Sequence, residues 1–125
     1  MKMIILIAIG GGVGAVCRYL LSKVMGTLLG TSFPFGTLFV NIFGAFLIGF
    51  IGFILFERTF HLGAELRALI IIGLLGGFTT FSSFSYETVL LLENQEFLKM
   101  GLYITLSVAL CLVATWFGLT LGRKI

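Results

Sequence analysis

The chain has 125 residues, of which 59% are hydrophobic and 10% are charged, and its formal net charge is +3. A soluble domain carries about 25% charged residues, so this chain has too little polar surface to cover a globule in water. Its eight Lys and Arg residues form no run or patch, which excludes a nucleic-acid-binding surface and suits the ends of membrane helices. The composition predicts an all-α integral membrane protein whose solvent is the lipid bilayer.

Four apolar segments predict four transmembrane helices in a single domain, residues 1–125, at about 3–24, 36–56, 66–92 and 100–121. Each has roughly 20 or more residues, enough to cross about 30 Å of hydrocarbon. The connections between them are short, and His61 in the second one is expected to be solvated. The chain therefore has no room for a soluble domain.

An even number of helices places both termini and the middle connection on one side of the membrane. That side holds five basic residues: Lys2, Arg58, Arg67, Arg123 and Lys124. The other side holds Lys23 and Lys99, with Arg18 if its side chain extends that way. This weak positive-inside bias is compatible with one orientation, termini inside, or with insertion in both orientations.

Pairs of small residues four positions apart occur in every predicted helix. They are Gly10 and Gly14, Ala45 and Gly49, Gly73 and Gly77, and Gly118 and Gly122. This spacing lets helix backbones approach closely in lipid, so we expect a tight bundle. Four such helices enclose little interior, and a pathway through them is expected to need a second copy of the chain.

The third segment contains Gly76-Gly77-Phe78-Thr79-Thr80 near its middle, and we expect the helix to be interrupted there. Paired glycines followed by two threonines are poor helix formers. Unpaired backbone groups in hydrocarbon are costly, and helix breaks persist where they line a cavity or bind an ion. The alternative is an intact, glycine-rich helix that packs closely against a neighbour.

Aromatic and polar side chains follow this point. Phe81 and Phe84 share a helix face, where their electropositive ring edges can meet a small anion or the rings can simply pack. Ser83 and Glu87 form a polar stripe beside them. Glu87 is the only carboxylate within a predicted span, so it is either a functional group or an interfacial one.

The other three helices offer fewer polar groups. Asn41 can hydrogen-bond an anion or a partner helix. Tyr103 and Ser107 share a face of the fourth helix, and Arg18 in the first can attract anions or extend to the interface. The sequence shows no Ser-His-Asp set, metal cluster or phosphate-binding loop, so we expect no enzyme.

Three stretches carry a family resemblance: GGVGAVCRY (residues 11–19), FGTLFVNIFG (35–44) and GGFTTFSSFS (76–85). Together they resemble the CrcB/Fluc family of fluoride channels, over essentially the whole chain and with the same helix count. Family members often have Ser-Thr between the two phenylalanines, whereas this chain has Ser82-Ser83. A hydroxyl is kept, so selectivity is expected to be kept while ion affinity can differ.

The resemblance implies an antiparallel, dual-topology homodimer whose broken third helices cross at its centre. Backbone carbonyls matching Gly76 and Thr79, one pair from each chain, would hold a structural sodium ion there. Each dimer would contain two fluoride pathways. The residues that match the family's anion pathway are Asn41, Phe81, Phe84, Ser82, Ser83, Glu87, Tyr103, Ser107 and Arg18.

The implied function is a passive, fluoride-selective channel in the bacterial plasma (inner) membrane, which exports cytoplasmic fluoride and lowers its toxicity. One rival is a small multidrug-type, proton-coupled exporter, which also pairs four-helix chains. Such an exporter needs a carboxylate in the first helix, and this one has none. Another is a non-transporting membrane scaffold, which has no need of the Phe81 and Phe84 pair.

Overall fold

A computed structural model describes residues 1–58 and 63–125, so His61 lies outside the described residues. Within these described residues, four helical spans are long and apolar enough to cross a membrane: Lys2–Leu29, Phe35–Arg58, Gly63–Glu93 and Phe97–Lys124. The prediction of an all-α, multi-pass membrane protein with four spans is confirmed.

The four spans differ in regularity. The first and fourth are continuous α-helices, whereas the second and third contain π-helical stretches. In chain order the elements are α1 (Lys2–Leu29), α2 (Phe35–Phe53), a π-helix (Ile54–Arg58), α3 (Gly63–Leu66), a π-helix (Arg67–Leu75), α4 (Gly76–Phe78), α5 (Phe81–Glu93) and α6 (Phe97–Lys124). A π-helix differs from an α-helix in which carbonyl each N–H bonds. The hydrophobic pattern of a sequence does not indicate that choice, so these stretches could not be predicted.

Helix α1 continues past the predicted end near Val24. Gly30 ends it, because a φ of 82° takes the backbone out of the helix while the Gly30 N–H still bonds the Gly26 carbonyl at 3.0 Å. The fourth span likewise extends beyond the predicted 100–121 at both ends. Apolar content marks the part of a helix that lies in lipid, and capping marks where it ends.

The second and fourth spans form one close helix pair. A Cβ on Gly49 would lie against the Thr115 carbonyl, and one on Gly118 against the Phe46 carbonyl. The Thr115 hydroxyl also donates across this crossing to the Ala45 carbonyl at 3.1 Å. The backbones therefore touch at the small residues that the sequence singled out.

The first and third spans form the other close pair. A Cβ on Gly14 would lie against the Leu74 carbonyl and 2.9 Å from the Phe78 nitrogen. A Cβ on Gly77 would lie against the Gly11 carbonyl. The expectation that small residues permit close packing is confirmed for both helix pairs.

Two polar contacts place the connections at opposite ends of the bundle. Lys2 Nζ lies 2.6 Å from Glu65 Oε1, which joins the N-terminus to the start of the third span. At the other end Lys99 Nζ donates to the Ser32 carbonyl at 3.1 Å, joining the first and third connections. The four spans therefore alternate in direction.

The helical backbone of the third span stops at Phe78 and resumes at Phe81. Thr79 has φ −77° and ψ 153°, and Thr80 has φ −150° and ψ 117°, so both are extended. Gly76 and Gly77, where the sequence placed the start of the interruption, remain helical. The two threonines are extended instead, in keeping with the β preference of their branched side chains.

Asn41 satisfies the backbone of the second extended residue. Its Nδ2 donates to the Thr80 carbonyl at 2.9 Å, and the Thr80 N–H donates to its Oδ1 at 2.8 Å. The Thr80 hydroxyl accepts the Ser83 N–H at 3.1 Å and caps α5. The hydrogen-bonding need of this residue is thus met within one chain.

We expect Gly14→Val to lower the free energy of unfolding by about 1–3 kcal/mol or more, because its side chain would overlap the Leu74 and Phe78 backbone. Gly12→Val is the matched control, since a Cβ at Gly12 meets nothing within 4 Å. Thermal unfolding in detergent, followed by circular dichroism, compares them. Equal midpoints for the two variants would contradict the packing described.

We expect Asn41→Leu to lower the free energy of unfolding by about 1–3 kcal/mol for each Thr80 backbone group left unpaired. Phe39→Leu, an exposed ring on the same helix, should have little effect. Denaturant titration in mixed micelles measures both. An Asn41→Leu protein as stable as the wild type would show that these two bonds contribute nothing net.

Candidate functional site

Two cavities flank the resumed helix α5. The first, about 340 Å³, lies at the hairpin between α1 and α2, and its lining includes Phe33, Thr37 and Glu87. The second, about 390 Å³, lies beside the extended threonines. Its lining includes Asn41, Thr80, Phe81, Phe84, Ser107 and Cys111.

Glu87 is held by two hydroxyl groups. The Thr37 hydroxyl donates to Glu87 Oε1 at 2.6 Å, and the Tyr103 hydroxyl donates to Oε2 at 2.8 Å. Tyr103 is fully buried, so this cluster lies inside the bundle. The structure thus shows Glu87 bonded to α2 and α6, and its part in an anion pathway stays a prediction.

Three aromatic rings lead from the second cavity toward this carboxylate. The Phe81 and Phe84 ring centroids are 5.5 Å apart with the planes tilted by 47°. The Phe84 and Tyr103 centroids are 5.1 Å apart with a tilt of 58°. Phe84 is partly buried, whereas the Phe81 ring is 78% exposed on the single chain.

Hydrogen-bond donors face the second cavity. Ser107 is only 7% exposed, and its Oγ has no hydrogen-bond partner among the described residues. An amide nitrogen carries two N–H groups, and only one is needed for the bond from Asn41 to Thr80. The second cavity can therefore offer a hydroxyl and an amide donor to a bound group.

The structure brings most of the predicted site residues together, though not all of them. Asn41, Phe81, Phe84 and Ser107 share the second cavity, Glu87 lines the first, and Tyr103 joins the two. The Ser82 and Ser83 hydroxyls lie 3.2 and 3.1 Å from the Thr80 hydroxyl. Arg18 lines neither cavity, and its place in an anion pathway stays a prediction.

Both interpretations of Asn41 bear on this site. Its bonds to Thr80 join α2 to the third span, which confirms the interhelical role. Its contact with an anion stays a prediction. The same amide can serve both, because it lies on the wall of the second cavity.

Sequence reasoning missed Thr37 and Cys111. Thr37 precedes Asn41 by four residues, and Cys111 follows Ser107 by four, so each lies one turn along a helix face already identified. This four-residue spacing from Asn41 and Ser107 was the signal that could have identified Thr37 and Cys111. The Thr37 bond to Glu87 spans 50 residues of sequence, and such a contact depends on how the helices pack.

Comparisons of the chain with known proteins agree on one family. The family described as CrcB-like protein, Camphor Resistance (CrcB), matches residues 5–119. The fluoride-specific ion channel FluC of Geobacter sulfurreducens is 52% identical over the full length of both chains. The protein of that name from Shewanella baltica is 50% identical over 94% of both.

A third relative with that name, from Methylococcus capsulatus, is 47% identical over 95% of this chain, although the match covers 52% of its own length. The similarity therefore spans all four helices and the residues around both cavities. On this evidence the chain belongs to the CrcB family.

Proposed function

We propose that this chain is a passive, fluoride-selective channel of the bacterial plasma membrane. The observation that carries the proposal is the row of rings and donors that links the second cavity to Glu87. The relatives' description as fluoride-specific ion channels agrees with it. Such a row offers a small anion a sequence of weak partners across part of the membrane.

Selectivity would follow from the type and spacing of these partners. The edges of Phe81 and Phe84 are electropositive and poorly hydrated, and the Ser107 hydroxyl and Asn41 amide are stronger donors. A smaller anion approaches each donor more closely and gains more electrostatic energy from it. A narrow, packed path adds a steric barrier against larger anions such as chloride.

A passive channel is sufficient for fluoride export. Fluoride enters cells as the weak acid HF, which dissociates in the more alkaline cytoplasm and is trapped as the anion. The membrane potential drives anions outward, so no coupled energy source is required. The proton-coupled exporter is disfavoured because α1, Lys2–Leu29, contains no carboxylate.

The functional unit we propose is a homodimer of two oppositely oriented chains. The weak charge bias leaves both orientations possible. Ser82 is exposed on the single chain although it lies within a membrane span, and a hydroxyl facing lipid is unfavourable. Phe81 is likewise exposed beside the second cavity. A second copy would cover both residues and complete the wall of that cavity.

The third helices of the two chains would meet at a sodium ion. The Thr80 N–H, which a continuous helix would direct to the Gly76 carbonyl, bonds Asn41 instead. The Gly76 carbonyl is thus available, and the Thr79 carbonyl lies in extended backbone beside it. Two carbonyls from each of two chains suit a hard cation. The bound ion would join the chains and would not take part in conduction.

Liposomes containing the protein should release fluoride when a potassium ionophore balances charge, and should retain chloride. Phe81→Ile and Phe84→Ile should each lower fluoride flux by about tenfold or more, because an aliphatic group has no electropositive edge. Phe46→Ile is the control, since that ring packs against Phe50 and lines neither cavity. A fluoride electrode measures the flux.

Equal fluoride and chloride fluxes from the wild-type protein would refute fluoride selectivity. Undiminished flux in Phe81→Ile and Phe84→Ile would show that the ring edges do not form the path. Size-exclusion chromatography of each variant distinguishes lost conduction from lost assembly.

Withdrawing sodium should weaken the dimer, because four carbonyls would lose the cation that holds them together. Purification in N-methylglucamine at equal ionic strength, followed by cross-linking, measures the dimer fraction. Returning sodium should restore it, whereas lithium or potassium should do so less well. A dimer fraction that is the same with and without sodium would refute the ion's structural role.

A further inference from the structure

We propose that the first cavity is the second mouth of the anion pathway and that Phe33 positions Tyr103 at its inner end. This inference rests on the proposed function. It adds a residue from the short connection between α1 and α2, to which the sequence analysis assigned no role. It also gives the first cavity a role in the transfer of the ion.

The aromatic row described above does not stop at Tyr103. The Phe33 ring packs edge-on against Tyr103, with centroids 5.6 Å apart and planes at 78°. Phe35 follows, with its centroid 4.9 Å from that of Phe33. The row therefore runs from Phe81 in the second cavity to Phe33 and Phe35 in the first. Five rings in contact connect the two cavities.

A tight turn fixes the end of this row. Pro34 has φ −77° and ψ 61°, and the Phe35 N–H bonds the Phe33 carbonyl at 2.8 Å. These are the angles and the hydrogen bond of an inverse γ-turn. Because proline restricts its own φ, the two flanking rings have little freedom to separate. Phe33 is thereby held against Tyr103.

The same connection is fastened to the fourth span. Lys99 Nζ donates to the Ser32 carbonyl at 3.1 Å and pairs with Glu96 Oε2 at 2.8 Å. Phe33 packs against the buried cluster of Leu38, Leu91 and Tyr103. Its ring thus has support on both sides, from the backbone turn and from the core.

The chemistry of the first cavity suits an ion leaving the bundle. Glu87 and Thr37 line it together with the polar side chains of Ser22, Thr31 and Asn94, and the last two lie just beyond the ends of α1 and α5. The Tyr103 hydroxyl reaches Glu87 only if its ring keeps the present orientation. The edge-on contact with Phe33 holds the Tyr103 ring in that orientation, because tilting the Tyr103 ring would disrupt its contact with Phe33.

Phe33→Leu tests the positioning role, because leucine keeps an apolar side chain while removing the ring. We expect fluoride flux to fall by about fivefold or more, and Phe33→Tyr, which restores a ring, to retain at least about half of it. Phe46→Leu is the matched control and should conduct as the wild type does. Flux from Phe33→Leu equal to that of the wild type would overturn the positioning role.

A double-variant comparison separates positioning from general packing. If Phe33 acts through the Tyr103 hydroxyl, Phe33→Leu should reduce flux much less in a Tyr103→Phe background than in the wild type. Equal fold reductions in the two backgrounds would mean that Phe33 acts independently of Tyr103, and would overturn the positioning role.

Gly26→Leu tests the mouth without altering Phe33, and decides the matter if Phe33→Leu fails to assemble. Gly26 lines the first cavity, and a Cβ there would meet only the Thr31 Cγ2 at 3.8 Å, so a side chain can be added at the cavity wall without a backbone clash at its Cβ. We expect it to reduce flux. Gly101→Leu, at a position where a Cβ meets nothing within 4 Å, should not.

Flux through the wild-type protein separates failure of the proposed function from failure of the further inference. Absence of wild-type flux would overturn the proposed function itself. With wild-type flux present, undiminished flux in Phe33→Leu would overturn the positioning role, and undiminished flux in Gly26→Leu would overturn the second mouth; the proposed function would stand in either case. Selective loss in these variants, with assembled dimers, supports it.

Discussion

Asn41 pairs with both backbone polar groups of Thr80, and within a membrane span an unpaired backbone group is costly. These two bonds allow the backbone to leave the helix at Thr79 and Thr80 without an unpaired group at Thr80. They also fix where α5 begins and therefore which way its side chains point. The aromatic rings, the serine hydroxyls and Glu87 all follow from that starting direction.

The spans, their number and their close contacts could be predicted, because they depend on local composition and on residue spacing. Gly14 and Gly118 lie at crossings for the reason that the sequence suggested. The placement of the extended residues could not be predicted so well. Gly76 and Gly77 have poor helix propensity, yet both are helical, and Gly77 packs closely against Gly11 of α1, so tertiary packing overrides intrinsic preference there.

The candidate site was predictable as a set of residues and not as an arrangement. The i, i+4 spacing of Tyr103 and Ser107 places them on one face, but it does not indicate that one bonds Glu87 while the other faces a cavity. Thr37 belongs to the site only because its hydroxyl bonds Glu87, which lies 50 residues away in the sequence. The role of each site residue depends on contacts between helices, and a single sequence gives little information about those contacts.

The hydrogen bonds that hold Thr80 in its extended conformation come from Asn41 and Ser83 of the same chain. Such a chain presents the same surface whichever way it enters the membrane. The pore we propose, assembled from two opposite insertions, would then need no second gene and no balance between the expression of two products. Random orientation alone would supply both halves in equal number, so the stoichiometry of the assembly would follow from the statistics of insertion.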